Sequence, residues 1–172
     1  SSGVVLRAAN TTVADCQSWN CVRGFELLDE GVENMRILRC RTDDCAGGVY
    51  LSGKHGIVED CRFFQTRDRF MISVYPQDDC GIQFYYPAYE GEARHNLSTG
   101  FANGIFIKCS PSVFTVEHNT VLNGTTHGVG CTSWVPKTVI RFNIVTGFAW
   151  PLLFPDMIPA GTVVDANCFW KC

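Results

Sequence analysis

The sequence lacks two features that would each define a class of protein. It has no long apolar run, because the longest such stretch, residues 148–158, is interrupted by Pro151, Pro155 and Asp156. A bilayer span needs roughly 20 apolar residues. It also has no basic stripe, since the net charge is −3 and the pI is about 5.7, and a phosphate backbone is bound mainly by clustered Lys and Arg. We therefore expect neither a membrane span nor a nucleic-acid partner.

Cysteine, in contrast, is abundant. The 172 residues include ten cysteines, and sequons for N-glycosylation begin at Asn10, Asn96 and Asn123. Many cysteines favour an oxidising compartment, although a free cysteine also packs well as a small buried hydrophobe. We expect one domain, residues 1–172, in an extracellular or periplasmic location.

A repeat of about 24 residues runs through the chain. Residues 104–123 align without a gap on residues 128–147, and the same frame extends in both directions. It places glycines at 3, 24, 48, 81, 104 and 128, and turn residues at Cys16, Cys40, Cys61, Asn96, Asn119, Asn143 and Asn167. Such regularity predicts stacked, equivalent units.

Side-chain alternation within the repeat predicts short strands around a continuous apolar core. The residues three positions before each turn residue share apolar character: Val13, Ile37, Val58, Ala93, Val116, Ile140 and Val164. Two positions before the turn, charges alternate in sign through Glu59, Arg94, Glu117 and Arg141. Opposite charges on adjacent strands favour one register.

The repeat of Gly-hydrophobic-x-hydrophobic followed by hydrophobic-x-x-Asn resembles that of the pectate-lyase-like superfamily. This resemblance implies an all-β fold, a right-handed parallel β-helix of about seven coils with an Asn/Cys turn ladder. A leucine-rich repeat has a similar period, but its L-x-x-L-x-L signature is absent.

Two further features depend on the coil frame. Cys21 and Cys45 share a column, so they are close enough for a disulfide, and an unbridged stack of thiols is the alternative. Neither end carries a polar cap, so we expect the chain to be part of a longer protein or its ends to be covered by an assembly contact.

One large insertion, residues 65–80, raises the spacing between turn residues Cys61 and Asn96 to 35. Insertions in solenoids collect on the binding face. This one carries Arg69, Asp78 and Asp79. The paired aspartates suit either acid–base work at a glycosidic bond or a Ca²⁺ site, and solvated loop residues are the alternative.

The outward positions of the first sheet predict a sugar-binding groove beside the insertion. Aromatic side chains stack on sugar rings, while amide and charged groups bind the hydroxyls. The predicted substrate-binding residues are Glu26, Tyr50, Gln83, Tyr85 and Phe106, with Lys108 as a further cation. The alternative is an ordinary cross-strand ladder covered by a loop.

Residues 77–80, Gln-Asp-Asp-Cys, resemble the Asp-Asp-Cys element of polygalacturonases, and residues 126–130 resemble that family's His-Gly strand. The resemblance implies acid and base roles for Asp78 and Asp79, assisted by His127.

Three functions are compatible with these observations. The first is an exported lyase or hydrolase acting on an acidic polysaccharide, with catalytic residues drawn from Asp78, Asp79, Arg69, Lys108 and His127, and with Asp78 and Asp79 as the metal ligands. The second is a non-catalytic stalk, adhesin or assembly segment. The third is a sugar-binding module without turnover. The first depends largely on the fold.

Overall fold

The structure is a computed structural model that describes residues 2–27, 32–66, 79–86, 88–108, 112–131, 137–154, 158 and 160–172. Its described residues form strands and turns, and none of their segments is a helix that could cross a bilayer. Most of the insertion, including Arg69 and Asp78, lies outside the described residues.

The strands form three parallel sheets of seven strands each, so the expected stack of about seven coils is confirmed. Sheet A contains β1 (Ser2–Leu6), β4 (Arg23–Leu27), β7 (Gly47–Leu51), β10 (Cys80–Tyr85), β13 (Asn103–Lys108), β16 (His127–Cys131) and β19 (Trp150–Leu153). Sheet B contains β2 (Thr12–Ala14), β5 (Arg36–Leu38), β8 (Lys54–Glu59), β11 (Tyr89–Arg94), β14 (Phe114–Glu117), β17 (Val139–Arg141) and β20 (Val163–Asp165). Sheet C contains β3 (Gln17–Trp19), β6 (Arg41–Asp43), β9 (Arg62–Phe64), β12 (Leu97–Thr99), β15 (Thr120–Leu122), β18 (Ile144–Thr146) and β21 (Cys168–Trp170).

Each coil contributes one strand to each sheet, and the next coil pairs with it in parallel. The predicted inward column of sheet B is confirmed, since Val13 pairs with Ile37, Val58 with Ala93, and so on to Val164. From Val13 to Ile140, these side chains and their counterparts from sheets A and C form one core cluster along the axis, whereas Val164 in the last coil is 37% exposed.

The glycine column at the second residue of the sheet A strands has a packing cause. A Cβ at Gly104 would lie 2.0 Å from Cγ1 of Val121, and one at Gly24 would lie 2.2 Å from Cγ2 of Thr42. The two sheets approach each other here too closely for any side chain, so glycine is required by space.

The turn column joins coils through side chains. Asn119 Nδ2 donates to Ala93 O at 2.8 Å, and Asn119 Oδ1 accepts from the backbone N of Asn96 at 3.0 Å. Where the column changes to cysteine, sulfur takes the same acceptor role, because the N–H of Cys40 donates to Sγ of Cys61 at 3.3 Å. The predicted Asn/Cys ladder is therefore confirmed as a hydrogen-bonded series from Cys40 to Asn167.

The predicted charge ladder is also present. Arg94 Nε lies 2.9 Å from Oε1 of Glu59, and Arg141 Nε donates to Oε2 of Glu117 at 2.8 Å. These pairs are partly exposed, so each contributes little free energy, and they act mainly on register.

No disulfide joins any pair of the described cysteines. Cys21 and Cys45 are therefore thiols, and Cys45 is fully buried. Burial raises the pKa of the Cys45 thiol. Of the two expectations for this column, the unbridged stack is the one observed.

Candidate functional site

The outer face of sheet A carries most of the predicted site residues that the structure describes. Three columns of side chains run along it, parallel to the coil axis. The predicted central column is confirmed by pairing, because Glu26 pairs with Tyr50, Tyr50 with Gln83, and Gln83 with Phe106. A second column joins Tyr85 to Lys108, and a third joins Asn103, His127 and Trp150.

The exposure expected for the central column is wrong. Tyr50 and Phe106 are buried, and only 1% of Gln83 is accessible. Tyr50 lies between the Arg23 guanidinium, 3.9 Å from its ring centroid, and the Tyr85 ring at 5.0 Å. These rings therefore pack against neighbours on the sheet and do not offer their faces to solvent.

Phe106 occupies the space left by a glycine in the next coil. A Cβ at Gly130 would lie 2.6 Å from Cε2 of Phe106. The His127 ring stacks nearby, with a centroid distance of 6.1 Å. Phe106 thus supports the position of His127 from the centre of the sheet.

The Glu26 carboxylate is engaged by neighbouring side chains on the same face. It accepts hydrogen bonds from the hydroxyl of Ser2 and from the guanidinium of Arg23. The Glu26 side chain is buried, and both partners are partly exposed. Glu26 therefore forms an ion pair with Arg23, and this ion pair lies beside Tyr50 in the first coils.

The accessible part of the face lies in the outer columns. Tyr85 and Lys108 are half-buried, and Nζ of Lys108 lies 5.3 Å from the Tyr85 ring centroid. Trp150 is 62% exposed and pairs with His127. An aromatic ring with one open face and a cation next to a second ring are groups that bind sugars and carboxylates.

A hydrogen bond to Asn103 orients His127. Its Nδ1 lies 2.9 Å from Oδ1 of Asn103, whose Nδ2 donates to the backbone O of Asp79 at 3.5 Å. That second contact turns the Asn103 oxygen toward the ring, so Nδ1 carries the proton and donates it. The lone pair of His127 is then on Nε2.

Burial also sets the charge of this histidine. Desolvation lowers the pKa of His127 below its usual value, because burial disfavours the charged form. The imidazole is therefore neutral near pH 7, with the proton on Nδ1 and the lone pair on Nε2.

Asp79 lies at the corner between sheets C and A. It is 5% exposed, and Oδ1 accepts at 3.0 Å from the side-chain amide of Gln65, in the orientation of that amide that also donates to Gly100 O. Its backbone O accepts from the N–H of Asn103 at 2.9 Å. Asp79, at the end of the insertion, thus contacts Asn103 on β13, the residue that orients His127.

The other residues predicted for acid–base or metal chemistry are not described. Asp78 and Arg69 lie outside the described residues. Within the described ranges, no group of three or more His, Cys, Asp or Glu side chains could hold a metal ion.

Sequence reasoning missed Asn103, Trp150 and Arg23. Each stands directly before a position of the glycine column, which holds Gly104, Pro151 and Gly24 respectively. The polar or aromatic character of that preceding column, with Arg23, Asn103, His127 and Trp150, was a usable signal.

A cleft lies on the outer face of sheet B. It has a volume of about 310 Å³ and is lined by His55, Gly56, Ile57, Glu90, Gly91, Glu92, Val113 and Thr115. Nδ1 of His55 lies 2.9 Å from Oε2 of Glu90. Both side chains are about half exposed, so this contact is well solvated, whereas the Asn103 partner of His127 is buried.

Three parallel sheets, one strand per coil and an internal Asn ladder define a parallel β-solenoid. A family model described as the right handed beta helix region matches residues 1–145. The chain therefore belongs to the right-handed β-helix family, as the sequence motifs indicated. No curated protein and no solved structure matched the chain.

Proposed function

We propose that this chain is an exported protein that binds an acidic polysaccharide along the outer face of sheet A and cleaves it by β-elimination. The observation that carries the proposal is His127, a neutral imidazole oriented by Asn103 and placed between Phe106 and the exposed Trp150. The proposal includes export of the protein because matrix and cell-wall polysaccharides lie outside the cell.

The accessible residues have separate roles along a bound chain. Trp150 stacks on a sugar ring next to His127, and Tyr85 with Lys108 holds a sugar further along. Lys108 is five residues from Asn103 on one strand, which corresponds to about 16 Å, so it binds the carboxylate of a neighbouring sugar and not of the one at His127.

In the proposed reaction, Nε2 of His127 takes the proton on the carbon next to the uronate carboxyl. The electron pair of that C–H bond forms a C=C bond, and the C–O bond to the leaving sugar breaks. The leaving oxygen takes a proton from water. A base that is neutral at the working pH suits this step.

Elimination is favoured over hydrolysis because hydrolysis uses a pair of available carboxyl groups. On the described part of this face, Glu26 is bound by Arg23 and Ser2, and the Asp79 carboxylate accepts from Gln65. A Ca²⁺ ion at Asp78 and Asp79 stays a proposal, tested by the chelator arm below.

The test is incubation with uronate polymers and a neutral glucan, with added Ca²⁺ or with chelator. Two readouts are followed, the ultraviolet absorbance of unsaturated uronate and the release of reducing ends. We expect both to rise together, and His127→Ala to lower the rate by about 100-fold or more. Asn103→Ala lowers it less, and His118→Ala, on another surface, leaves it unchanged.

Release of reducing ends without unsaturated product would show that the reaction is hydrolysis and not elimination. Activity that survives His127→Ala would show that His127 is not the catalytic base and that the reaction takes place elsewhere. A rate abolished by chelator would support the cation at the aspartates.

A second candidate function is a non-catalytic structural or sugar-binding segment. The burial of Tyr50, Gln83 and Phe106 favours it, since a packed central column narrows the surface open to a substrate. A folded sample without turnover on any polymer would make this candidate the better one, and glycan binding without turnover would identify a binding module.

A further inference from the structure

A column of turn residues, which we call the corner column, borders the outer face of sheet B. It stands three positions before the inward column of that sheet and contains Asn10, Asn34, His55, Glu90, Val113, Lys137 and Gly161. All of these residues except Val113 have a positive φ, between 53° and 82°. Val113 is the exception because a β-branched side chain disfavours this backbone conformation. The regular backbone of the corner column is therefore interrupted at Val113.

The interruption also changes a hydrogen bond between coils. In an earlier coil, the N–H of Asn34 donates to the backbone O of Lys54 at 3.0 Å. The equivalent acceptor for Glu90 would be the backbone O of Ser112, but the N–H of Glu90 donates to the Ser112 hydroxyl at 2.8 Å. The fifth coil thus departs from the regular path at this corner, and the sheet B cleft lies at the same place.

The sheet B cleft combines carboxylates with apolar walls. Its lining includes Glu90 and Glu92, and none of the described residues that line it is Lys or Arg. Ile57 and Val113 contribute apolar surface, and Val113 is 41% exposed. A cleft of this composition is complementary to a ligand with a positive charge on an apolar chain.

We propose that the sheet B cleft binds a free aliphatic amine, such as a diamine or a polyamine. The ammonium group donates to the carboxylates of Glu90 and Glu92, while the methylene groups pack between Ile57 and Val113. An ammonium group has three donors and no acceptor, so two neighbouring carboxylates match it. Hydrogen bonds between charged groups are also stronger than those between neutral groups.

Neighbouring side chains hold both carboxylates in place. Oε2 of Glu90 lies 2.9 Å from Nδ1 of His55, and Oε2 of Glu92 lies 3.2 Å from Nη1 of Arg94. Arg94 also donates to Oε2 of Glu59 at 3.3 Å. Because its charge is divided between two carboxylates, Arg94 neutralises only part of the charge of Glu92, and the cleft still attracts a cation.

The surroundings of the cleft favour a free amine over a lysine side chain of a partner protein. The volume of about 310 Å³ is at the small end of the range for ligand pockets. The adjacent outward column of sheet B is the charge ladder, in which Arg94 contacts Glu59 and Arg141 contacts Glu117. The cores of protein–protein interfaces are depleted of charged residues, so this face does not suit a protein partner.

The experiment is a calorimetric titration of the folded chain with cadaverine. Glu90→Gln and Glu92→Gln should each weaken binding by about 10-fold or more, because each removes a hydrogen bond between charged groups. Glu117→Gln makes the same change in net charge on sheet B but outside the cleft lining, so it should leave binding unchanged. Pentanol, which has the same chain length and no ammonium group, should not bind.

Three results would overturn the proposal. The first is no binding of cadaverine by the wild type. The second is equal weakening by Glu117→Gln and Glu90→Gln, which would show a diffuse effect of charge. The third is tighter binding of a lysine-containing peptide than of cadaverine, which would show that the site takes a protein partner. None of these readouts depends on turnover, so the outcome is independent of the proposed reaction on sheet A.

Discussion

At the scale of single residues, the chemistry depends on how one imidazole is held. Asn103 fixes the tautomer of His127, and burial keeps the ring neutral. The sequence singled out His127, but not its partner, because Asn103 is 24 positions away and only the parallel pairing of β13 with β16 makes them neighbours. A buried partner of this kind is found only once the coil register is known.

The first prediction is a low pKa for His127. The folded state disfavours the charged ring, so the pKa measured from the Hε1 chemical shift should lie below the usual value of about 6.5. The unfolded chain then binds the proton first as the pH falls, so stability is full above that value and decreases as the pH is lowered through it.

His127→Gln identifies the resonance in the spectrum. A titration midpoint at or above the usual value would contradict the assignment of a desolvated, neutral base. In the wild type, the proposed activity should fall on the acidic side at the same midpoint as the chemical shift.

At the scale of elements, the ladder explains how turns of different composition keep one register. Asn96, Asn119 and Asn143 satisfy buried backbone groups of the preceding coil, and cysteine sulfur does so in the earlier coils. The frame of the ladder was predictable from the sequence, because each turn residue stands at a fixed distance from an inward apolar residue.

The second prediction concerns Asn119. Asn119→Ala removes the acceptor of the Asn96 backbone N–H and the donor to Ala93 O. Each buried group left without a partner costs about 1–3 kcal/mol, so the free energy of unfolding should fall by about 3 kcal/mol, measured by urea denaturation.

Asn123→Gly is the matched control. Asn123 is exposed with a positive φ of 55°, a conformation that glycine adopts readily, so its replacement should change stability by less than about 0.5 kcal/mol. Similar losses for both variants would show that the ladder adds nothing beyond local turn preference.

At the scale of the whole molecule, the period of the sequence predicts the coil count, the parallel pairing and the side of each strand on which a residue lies. It does not predict what covers an outward side chain. Tyr50 and Phe106 were placed correctly on sheet A, yet they are buried because Arg23, Tyr85 and the gap at Gly130 lie beside them. Lateral packing within a sheet depends on several coils together.

The need to know several coils together also explains why the sequence did not single out Trp150. Its column was visible only in the pairing of β16 with β19, where proline replaces the expected glycine. In the described part of this face, Trp150 is exposed and His127 is partly buried beside it, whereas the central column is buried.

The most direct test of the central claim, that the outer face of sheet A binds the polysaccharide, is a binding titration by calorimetry with two tryptophan variants. Trp150→Ala should weaken binding of an acidic oligosaccharide by about 10-fold, the loss of roughly 1.4 kcal/mol of stacking. Trp19→Ala, which removes a 72% exposed ring from sheet C, should leave binding unchanged. Equal effects of the two variants, or no effect of Trp150→Ala on measurable binding, would contradict the account.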